Sequence, residues 1–586
     1  MPEIYATRDS NITQREIDHL ALSRSLAGEC MVLLENDGTL PLNRTGKLAL
    51  FGDGARHTVR GGTGSGDVNT RSYVNIESGL EDAGFQITTK SWLARQDVAY
   101  EQARKDYLEW IPLFAKEQDI SEFLVTFSHP FQVIPPTEII ETDIADADTS
   151  VAVYVISRNS GEGADRFNKR GDYLLYDEEK IQLKMLGKAY KSVIVVLNIG
   201  GIIDLSELDS IPGISAVLLM GQLGSVGGDV LADVLLGKVN PSGKLTDTWA
   251  KRYEEYPSSE GFSHNDGNVD DEYYTEGIYV GYRYFDTFGV EPLYPFGYGR
   301  SFTDFSVTPG MVKVNGGQIS VTATVKNIGS IYAGKEVVQI YYSAPAGELS
   351  KPYQELIGFA KTRLLAPGES EAIEIKFSIN DMASYSQENA AWMLEAGEYV
   401  LRVGTSSRNT KISAVLTLSE SVKTEILKNL FTPATPVREI AAPECEADIA
   451  DSSIVRISID PASIRTTKAI YHGTRQLFTT DKKEVLTAAD VKTGRCSVEE
   501  LVSQLTVEEM AELCVGTLRT DGGSLVGNAS YTVPGAAGDT SSVIKDTRGV
   551  KNLILADGPA GLRLQPIFKT DKEGNLLPGG TLLGDI

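Results

Sequence analysis

The chain has 586 residues, of which 41% are hydrophobic and 23% charged, a composition typical of a globular protein with several domains. Its formal net charge of -25 argues against nucleic acid and anionic membrane surfaces as partners, because either would require a basic patch. Residues 1–30 lack a signal-peptide pattern and no apolar run approaches the ~20 residues of a membrane span, so we predict a cytoplasmic protein. The four cysteines are widely separated and form no CxxC pair, which predicts free thiols and no metal site.

Residues 1–305 carry the pattern of an α/β domain. Thr13 and Glu16 have the spacing of a capping box, which predicts that a helix begins here. Apolar runs then alternate with helical or polar stretches, and this alternation indicates a largely parallel sheet. The runs are Leu48–Phe51, Phe85–Thr88, Val151–Ile156, Val193–Leu197 and Ala216–Met220. Residues 117–148 contain three prolines and interrupt the pattern, so we interpret them as an insertion of uncertain shape.

A short acidic motif follows the run Val151–Ile156 and is the main candidate for a functional site. It reads Ser160-Gly161-Glu162-Gly163-Ala164-Asp165-Arg166. The glycines around Glu162 allow a sharp turn at the carboxyl end of a buried strand, where open α/β sheets bind their ligands. A flexible loop that carries a carboxylate at this position favours a role in chemistry over a role in packing. The alternative is an exposed loop with an Asp-Arg ion pair.

Glycine clusters near the start of the chain raise the question of nucleotide binding. After the strand at Leu48–Phe51, Gly52 and Gly54 suggest a dinucleotide loop, but His57 stands where the third glycine is needed, so we reject it. No P-loop is present either, and no cofactor is expected. The denser cluster Gly61–Asn69 predicts a hydrogen-bonding loop at a second strand end, suited to a polar ligand such as a sugar. The alternative is a linker.

The middle of the chain changes first to an aromatic and then to a β-rich composition. Residues 273–305 are rich in tyrosine and phenylalanine, which favours a domain junction over a sugar-facing wall. Residues 306–419 alternate with the period of strands and are separated by turns, which predicts a β-sandwich. Residues 420–496 mix prolines, acidic stretches and two predicted strands, at 454–459 and 469–471, and we interpret them as a connecting segment.

The last part of the chain, residues 497–586, returns to an αβ pattern. Ser497-Val-Glu-Glu500 and Thr506-Val-Glu-Glu509 are capping boxes that predict two helices. Leu553–Ala556 then has the composition of a strand, and Asp557 directly follows it. This is a second strand-end acid after Glu162.

Several motifs in one consistent order make the chain resemble the β-glucosidases of glycoside hydrolase family 3, in the subgroup with the α/β sandwich domain first and the (β/α)8 barrel last. The motifs are Leu33–Leu42, Gly62–Asn69, Ser160–Arg166, Asn240–Leu245, Glu276–Arg283, Pro295–Gly299 and Asp557–Arg563. The resemblance implies a fibronectin-type-III-like domain at 306–419 and the beginning of a (β/α)8 barrel at 497–586. The predicted fold class is thus multidomain, α/β plus all-β.

The resemblance also implies an activity, the retaining hydrolysis of a terminal β-linked sugar, with Glu162 as the general acid/base. Asp557 and Arg563 then become candidates for binding the sugar, and Ser65 and Asp67 in the glycine loop are weaker ones. Retaining cleavage needs a second carboxylate roughly 5 Å away as the nucleophile. In the family this is an aspartate in a Ser/Thr-Asp-Trp motif on a later barrel strand, expected beyond residue 586. Asp247 stands in a similar Thr-Asp-Thr-Trp stretch, but we interpret it as structural.

A (β/α)8 barrel typically needs about 250 residues, whereas residues 497–586 supply far fewer. We therefore expect the chain to be inactive alone. Its expected partner is the remainder of the barrel, for example as a second polypeptide. The expected substrate is a β-linked oligosaccharide or an aryl glucoside, and a homo-oligomer is left open. Two alternatives remain: a non-catalytic carbohydrate-binding or scaffold chain, and a β-xylosidase of the same family.

Overall fold

The computed structural model describes most of the chain, with short gaps that lie mainly in its last quarter. The described residues are 11–66, 68, 70–162, 165–431, 433–443, 449, 451–471, 477–516, 530, 532–533, 536–542, 544–558, 564, 568–570 and 576–581. Among them, no helix has both the length and the apolar character needed to cross a membrane. The thiols of Cys30, Cys496 and Cys514 are free, and Cys445 lies outside the described residues.

A six-stranded sheet in the order β1-β6-β5-β4-β2-β3 forms the centre of the first domain. Five of its strands are parallel, and β1 pairs antiparallel with β6 at one edge. The strands are β1 (Val32–Asn36), β2 (Lys47–Phe51), β3 (Gln86–Ile87), β4 (Val151–Arg158), β5 (Ser192–Ile199) and β6 (Ile214–Leu219). The prediction of a largely parallel sheet is confirmed. Strands β4 and β5 are almost completely buried because helices cover both faces of a parallel sheet.

The described residues of this domain form eight α-helices. They are α1 (Gln14–Cys30), α2 (Ile76–Asp82), α3 (Lys90–Gln118), α4 (Glu122–Ser128), α5 (Glu141–Ala145), α6 (Asp177–Ala189), α7 (Gly227–Leu235) and α8 (Tyr282–Thr287). The predicted capping box is confirmed, since Glu16 N donates to the Thr13 hydroxyl and Thr13 N donates to the Glu16 carboxylate (2.7 Å). The insertion predicted at 117–148 contains the last two residues of α3 and the two short helices α4 and α5.

The second unit is a β-sandwich built from sheets in the orders β10-β9-β14-β15-β17, β11-β8-β7 and β12-β13-β16-β18. Its strands are β7 (Phe305–Asn315), β8 (Gln318–Asn327), β9 (Val337–Ser343), β10 (Glu355–Lys361), β11 (Ser370–Ser378), β12 (Ser384–Ser386), β13 (Ala391–Leu394), β14 (Gly397–Ser406), β15 (Asn409–Leu418), β16 (Val422–Ile426), β17 (Arg456–Ile459) and β18 (Thr467–Lys468). The sandwich prediction is confirmed, but its end at residue 419 is too early. Strand β17 pairs in parallel with β15, so part of the predicted connecting segment completes the sandwich.

Aromatic side chains and ion pairs join the two units, in agreement with the predicted junction at 273–305. Tyr282 stacks on Phe296 with ring centroids 4.6 Å apart and meets Tyr341 of the sandwich edge-on. Arg408 of the sandwich donates to Asp286 (2.6 Å), and the sandwich carboxylate of Glu355 accepts from Arg283 (2.8 Å). The α/β domain and the sandwich therefore share a packed and charge-paired interface.

The described residues after 487 form short elements. They are α9 (Ala488–Lys492), α10 (Val498–Ser503), α11 (Val507–Val515), β19 (Gly538–Asp539), α12 (Lys545–Arg548), β20 (Ile554–Leu555), β21 (Phe568–Thr570) and β22 (Leu576–Thr581). Both predicted capping boxes are confirmed at the starts of α10 and α11. The strand predicted before Asp557 is β20, which pairs antiparallel with β19. The barrel itself stays a prediction.

Candidate active site at the carboxyl edge of the sheet

The parallel strands β2, β4, β5 and β6 end at the same edge of the sheet, and the loops that follow them gather there. The loop after β4 carries Glu162, and we call its described residues, 159–162 and 165–172, the acid loop. The loop after β2 carries Gly61–Gly66, which we call the glycine loop. Two candidate segments that are about 100 residues apart in the sequence thus become neighbours.

Backbone hydrogen bonds join the acid loop to the glycine loop. Thr63 N donates to the Ser160 carbonyl (3.2 Å), and Glu162 N donates to the Thr63 carbonyl (3.4 Å). Thr63 and Gly161 form a parallel bridge between the two loops. A Cβ on Gly62 would stand 2.4 Å from the Ser160 carbonyl oxygen, so this close approach requires glycine. The two loops therefore behave as one small sheet extension that presents Glu162.

The far end of the acid loop is held by a second set of contacts. Arg166 Nε donates to the Asp172 carboxylate (2.6 Å), and its Nη1 donates to the Ile202 carbonyl in the loop after β5 (3.2 Å). Phe167 N donates to the other Asp172 oxygen (2.8 Å). Arg166 therefore fixes the loop on the side that follows Glu162, while Glu162 itself is exposed.

An ion pair below the loop is almost completely removed from water. Arg158, at the end of β4, is 2% exposed and donates to both carboxylate oxygens of Glu179 at the start of α6 (2.9 and 2.6 Å). Burial lowers the pKa of Arg158, but the attraction of Glu179 outweighs it, so the pKa lies above its ordinary value. Arg158 also donates to the Asp172 carbonyl (3.1 Å). The pair therefore anchors the acid loop to the sheet.

Replacement of Arg158 by alanine is expected to lower the free energy of unfolding by about 3–5 kcal/mol, because it leaves the buried Glu179 carboxylate without its partner. The double variant Arg158→Met/Glu179→Leu should recover most of this loss, since it removes both charges. Urea unfolding curves of the 586-residue chain measure the effect. As a control, removal of the exposed Arg252, which pairs with Glu255, should cost under ~1 kcal/mol. Equal losses for Arg158→Ala and Arg252→Ala would contradict the anchoring role.

Asn198 of β5, which sequence reasoning missed, connects the loop after β2 to the loop after β6. It is 0% exposed at the end of β5, its Oδ1 accepts from Val59 N (2.7 Å), and its Nδ2 donates to the carbonyls of Val59 (2.9 Å) and Gly221 (2.8 Å). Asn198 thereby fixes the start of the glycine loop against the sheet. The available signal was a single amide at the end of an otherwise apolar run.

Two further polar atoms at this edge were also missed. Asn159 Oδ1 and Gln222 Nε2 are buried and have no hydrogen-bond partner within the described part of the chain. A Cβ on Gly200 would lie 2.1 Å from the Ser160 hydroxyl and 2.7 Å from Gln222 Nε2, so these groups crowd the end of β5. Buried polar atoms need a partner, which a bound hydroxyl or water would supply.

The structure describes only some of the other residues that the sequence singled out. Asp557 is half-buried shortly after β20. Asp67, Arg563 and the side chain of Ser65 lie outside the described residues. Asp247 is exposed on a turn whose neighbour Trp249 is buried and pairs with Tyr294. The structure thus brings Glu162 and the glycine loop together, and the roles of all these residues remain predictions.

Fold and site together define a protein with a parallel α/β domain, a β-sandwich and a carboxylate presented at the sheet edge. The glycosyl hydrolase family 3 C-terminal domain matches residues 31–282, and the fibronectin type III-like domain matches residues 336–407. Beta-glucosidase A of Butyrivibrio fibrisolvens is 36% identical, over 94% of this chain and 69% of that protein. The chain therefore belongs to glycoside hydrolase family 3.

Solved structures agree with this assignment. A beta-glucosidase from Paenibacillus barengoltzii superimposes with a TM-score of 0.72 at 30% identity, over 95% of this chain and 59% of that one. Beta-glucosidase 3B from Thermotoga neapolitana, in complex with alpha-D-glucose, gives 0.61 at 38% identity, over 70% and 55%. The chain thus spans between 55% and 69% of the length of these three relatives.

Proposed function

We propose that this chain supplies the acid/base half of a retaining β-glucosidase that releases terminal β-D-glucose, with Glu162 as the general acid/base. The observation that carries the proposal is the position of Glu162. It is an exposed carboxylate at the carboxyl edge of the sheet, hydrogen-bonded through its backbone to the glycine loop, in a chain of a glycoside hydrolase family. Ligands of open α/β sheets bind at this edge.

The chemistry assigned to Glu162 has two steps. The carboxylic acid first donates its proton to the glycosidic oxygen as the bond to the anomeric carbon breaks and a nucleophilic carboxylate attacks that carbon. The resulting Glu162 carboxylate then removes a proton from the water that releases the sugar. We place the nucleophile on the barrel segment that the family resemblance implies. We call this chain combined with such a segment, as a second polypeptide or as an extended one, the completed enzyme.

The preference for glucose is supported by the names of the relatives, which are beta-glucosidases from Butyrivibrio fibrisolvens and Paenibacillus barengoltzii. The test is a comparison of kcat/KM for the completed enzyme on an aryl β-glucoside and on the matching aryl β-xyloside. A higher value for the glucoside supports the proposal. A higher value for the xyloside would replace glucose by xylose, and no cleavage of either would favour a non-catalytic role.

Asp557 is proposed to bind hydroxyl groups of the terminal sugar. A hydrogen bond to a charged group is worth about 1.5–3 kcal/mol, so Asp557→Ala should lower kcat/KM of the completed enzyme at least roughly tenfold. Arg563 is proposed to orient the same loop or the sugar, and Ser65 and Asp67 are the weaker candidates. An unchanged kcat/KM for Asp557→Ala would remove Asp557 from the binding site.

A further inference from the structure

The side chain of Glu162 lies directly against the backbone of Gly64. A Cβ built on Gly64 would stand 2.8 Å from Glu162 Cβ, 2.8 Å from Cδ and 2.9 Å from the carboxylate oxygen Oε2. All three distances are below 3.0 Å, and real Cβ atoms essentially never lie so close to another atom. With any side chain at position 64, either the Glu162 carboxyl group or residue 64 would therefore have to move.

Position 64 is also fixed by its surroundings. The neighbouring Thr63 is tied on both sides to the acid loop, through the Ser160 carbonyl and Glu162 N. Earlier in the same loop, Val59 is held at both its N–H and its carbonyl by the buried Asn198 of β5. The glycine loop is thus anchored to the sheet on one side and to the acid loop on the other. A clash at position 64 has little room to relax by moving the backbone.

We propose that Gly64 is a positioning residue, whose bare backbone forms the surface that sets where the Glu162 carboxyl group stands. The inference rests on the proposed role of Glu162 and deepens it. A general acid must stand within about 2.6–3.2 Å of the atom to which it gives its proton. A displacement of ~1 Å can cost on the order of 100-fold in rate. Glycine at position 64 thereby contributes to acid/base catalysis by leaving room for the Glu162 carboxyl group.

A simpler reason for a glycine at this position is its backbone conformation, since Gly64 has φ +79°. Alanine in this left-handed region costs roughly 1–2 kcal/mol whatever surrounds it. Gly224 provides the matched control because it has φ +64° with nothing within 4 Å of its Cβ position, and it lies at the same edge. Gly224→Ala introduces the same backbone strain without the contact to Glu162.

The first measurement is a crystal structure of the 586-residue chain as wild type, Gly64→Ala and Gly224→Ala. The Glu162 carboxyl group is expected to move by about 1 Å or more in Gly64→Ala, because it cannot share the space with the new Cβ. It should stay in place in Gly224→Ala. Gly64→Asn serves as a second variant if Gly64→Ala does not fold, since asparagine tolerates the left-handed region and still brings a Cβ.

The second measurement compares substrates in the completed enzyme. Gly64→Ala is expected to lower kcat/KM by roughly 10–100-fold for glucosides with poor leaving groups and by under ~3-fold for activated aryl glucosides, which need little protonation. Gly224→Ala should change neither by more than about 3-fold. In a Glu162→Gln background, Gly64→Ala should cause little further loss, because the group that it displaces is already gone.

Equal effects of Gly64→Ala and Gly224→Ala, or an unmoved carboxyl group in Gly64→Ala, would overturn the inference and leave Gly64 as an ordinary turn glycine. Failure of the proposed function looks different. In that case Glu162→Gln itself would affect both kinds of substrate equally, whatever the variants at position 64 do. The two outcomes are therefore separable.

Discussion

The 586-residue chain, purified without a partner, is expected to hydrolyse aryl β-glucosides no faster than buffer does. Retaining cleavage needs a carboxylate roughly 5 Å from the acid/base and on the opposite side of the anomeric carbon. The nucleophile is proposed to lie on the barrel segment, and Glu162 alone cannot perform both roles. The expected result is therefore no catalysis at all. The measurement is the release of the aryl alcohol over time.

The matched measurement adds the barrel segment that carries the nucleophile. Activity should appear when this segment is supplied, because the acid loop, the glycine loop and the sandwich are already in place. Full turnover by the chain alone would contradict the account. It would mean that a carboxylate within residues 1–586 is the nucleophile, and Asp247, which is exposed beside the buried Trp249, would be the first to replace.

The second large effect is expected for Glu162→Gln in the completed enzyme. Glutamine keeps the size of the side chain but cannot donate the proton, so kcat/KM for a glucoside with a poor leaving group should fall roughly 10²–10⁴-fold. An activated aryl glucoside, whose leaving group needs little protonation, should be cleaved with a much smaller loss. The measurement is a series of aryl glucosides with increasing leaving-group pKa.

A suitable control is Glu207→Gln, which changes a partly exposed carboxylate in the loop after β5 that pairs with Lys180. It should leave kcat/KM within about 3-fold for every substrate, since surface ion pairs of this kind contribute little. An equal loss of Glu162→Gln across the whole series would argue against a proton donor at position 162.

The central part of the fold could be predicted because local signals agree with the tertiary structure. The apolar runs at Val151–Ile156 and Val193–Leu197 became the two most buried strands, β4 and β5. The capping box at Thr13 became a helix start, since side-chain and backbone partners lie only three residues apart. Strand β1 was missed because Val32–Asn36 is short and turns polar after Leu34.

Long-range pairing could not be predicted from these signals. The strand at residues 454–459 was recognised, but not that β17 adds to the sandwich beside β15, because more than 30 residues separate the two strands. Likewise, Glu162 and the glycine loop were each singled out by composition. Their contact through Thr63 and Gly64 arises because β2 and β4 are neighbours in the sheet. The spacing of apolar residues along the sequence does not show which strands become neighbours.

The most direct test of the role of Glu162 is the reaction of Glu162→Ala with azide in the completed enzyme. With an activated aryl β-glucoside the glucosyl-enzyme still forms, but water attacks it slowly because its general base is missing. Azide needs no deprotonation and should restore turnover. Each of the two displacements inverts the anomeric carbon, so the net result is retention and the product should be β-glucosyl azide. No acceleration by azide, or formation of the α-anomer, would contradict the assignment of Glu162 as the acid/base of a retaining glycosidase.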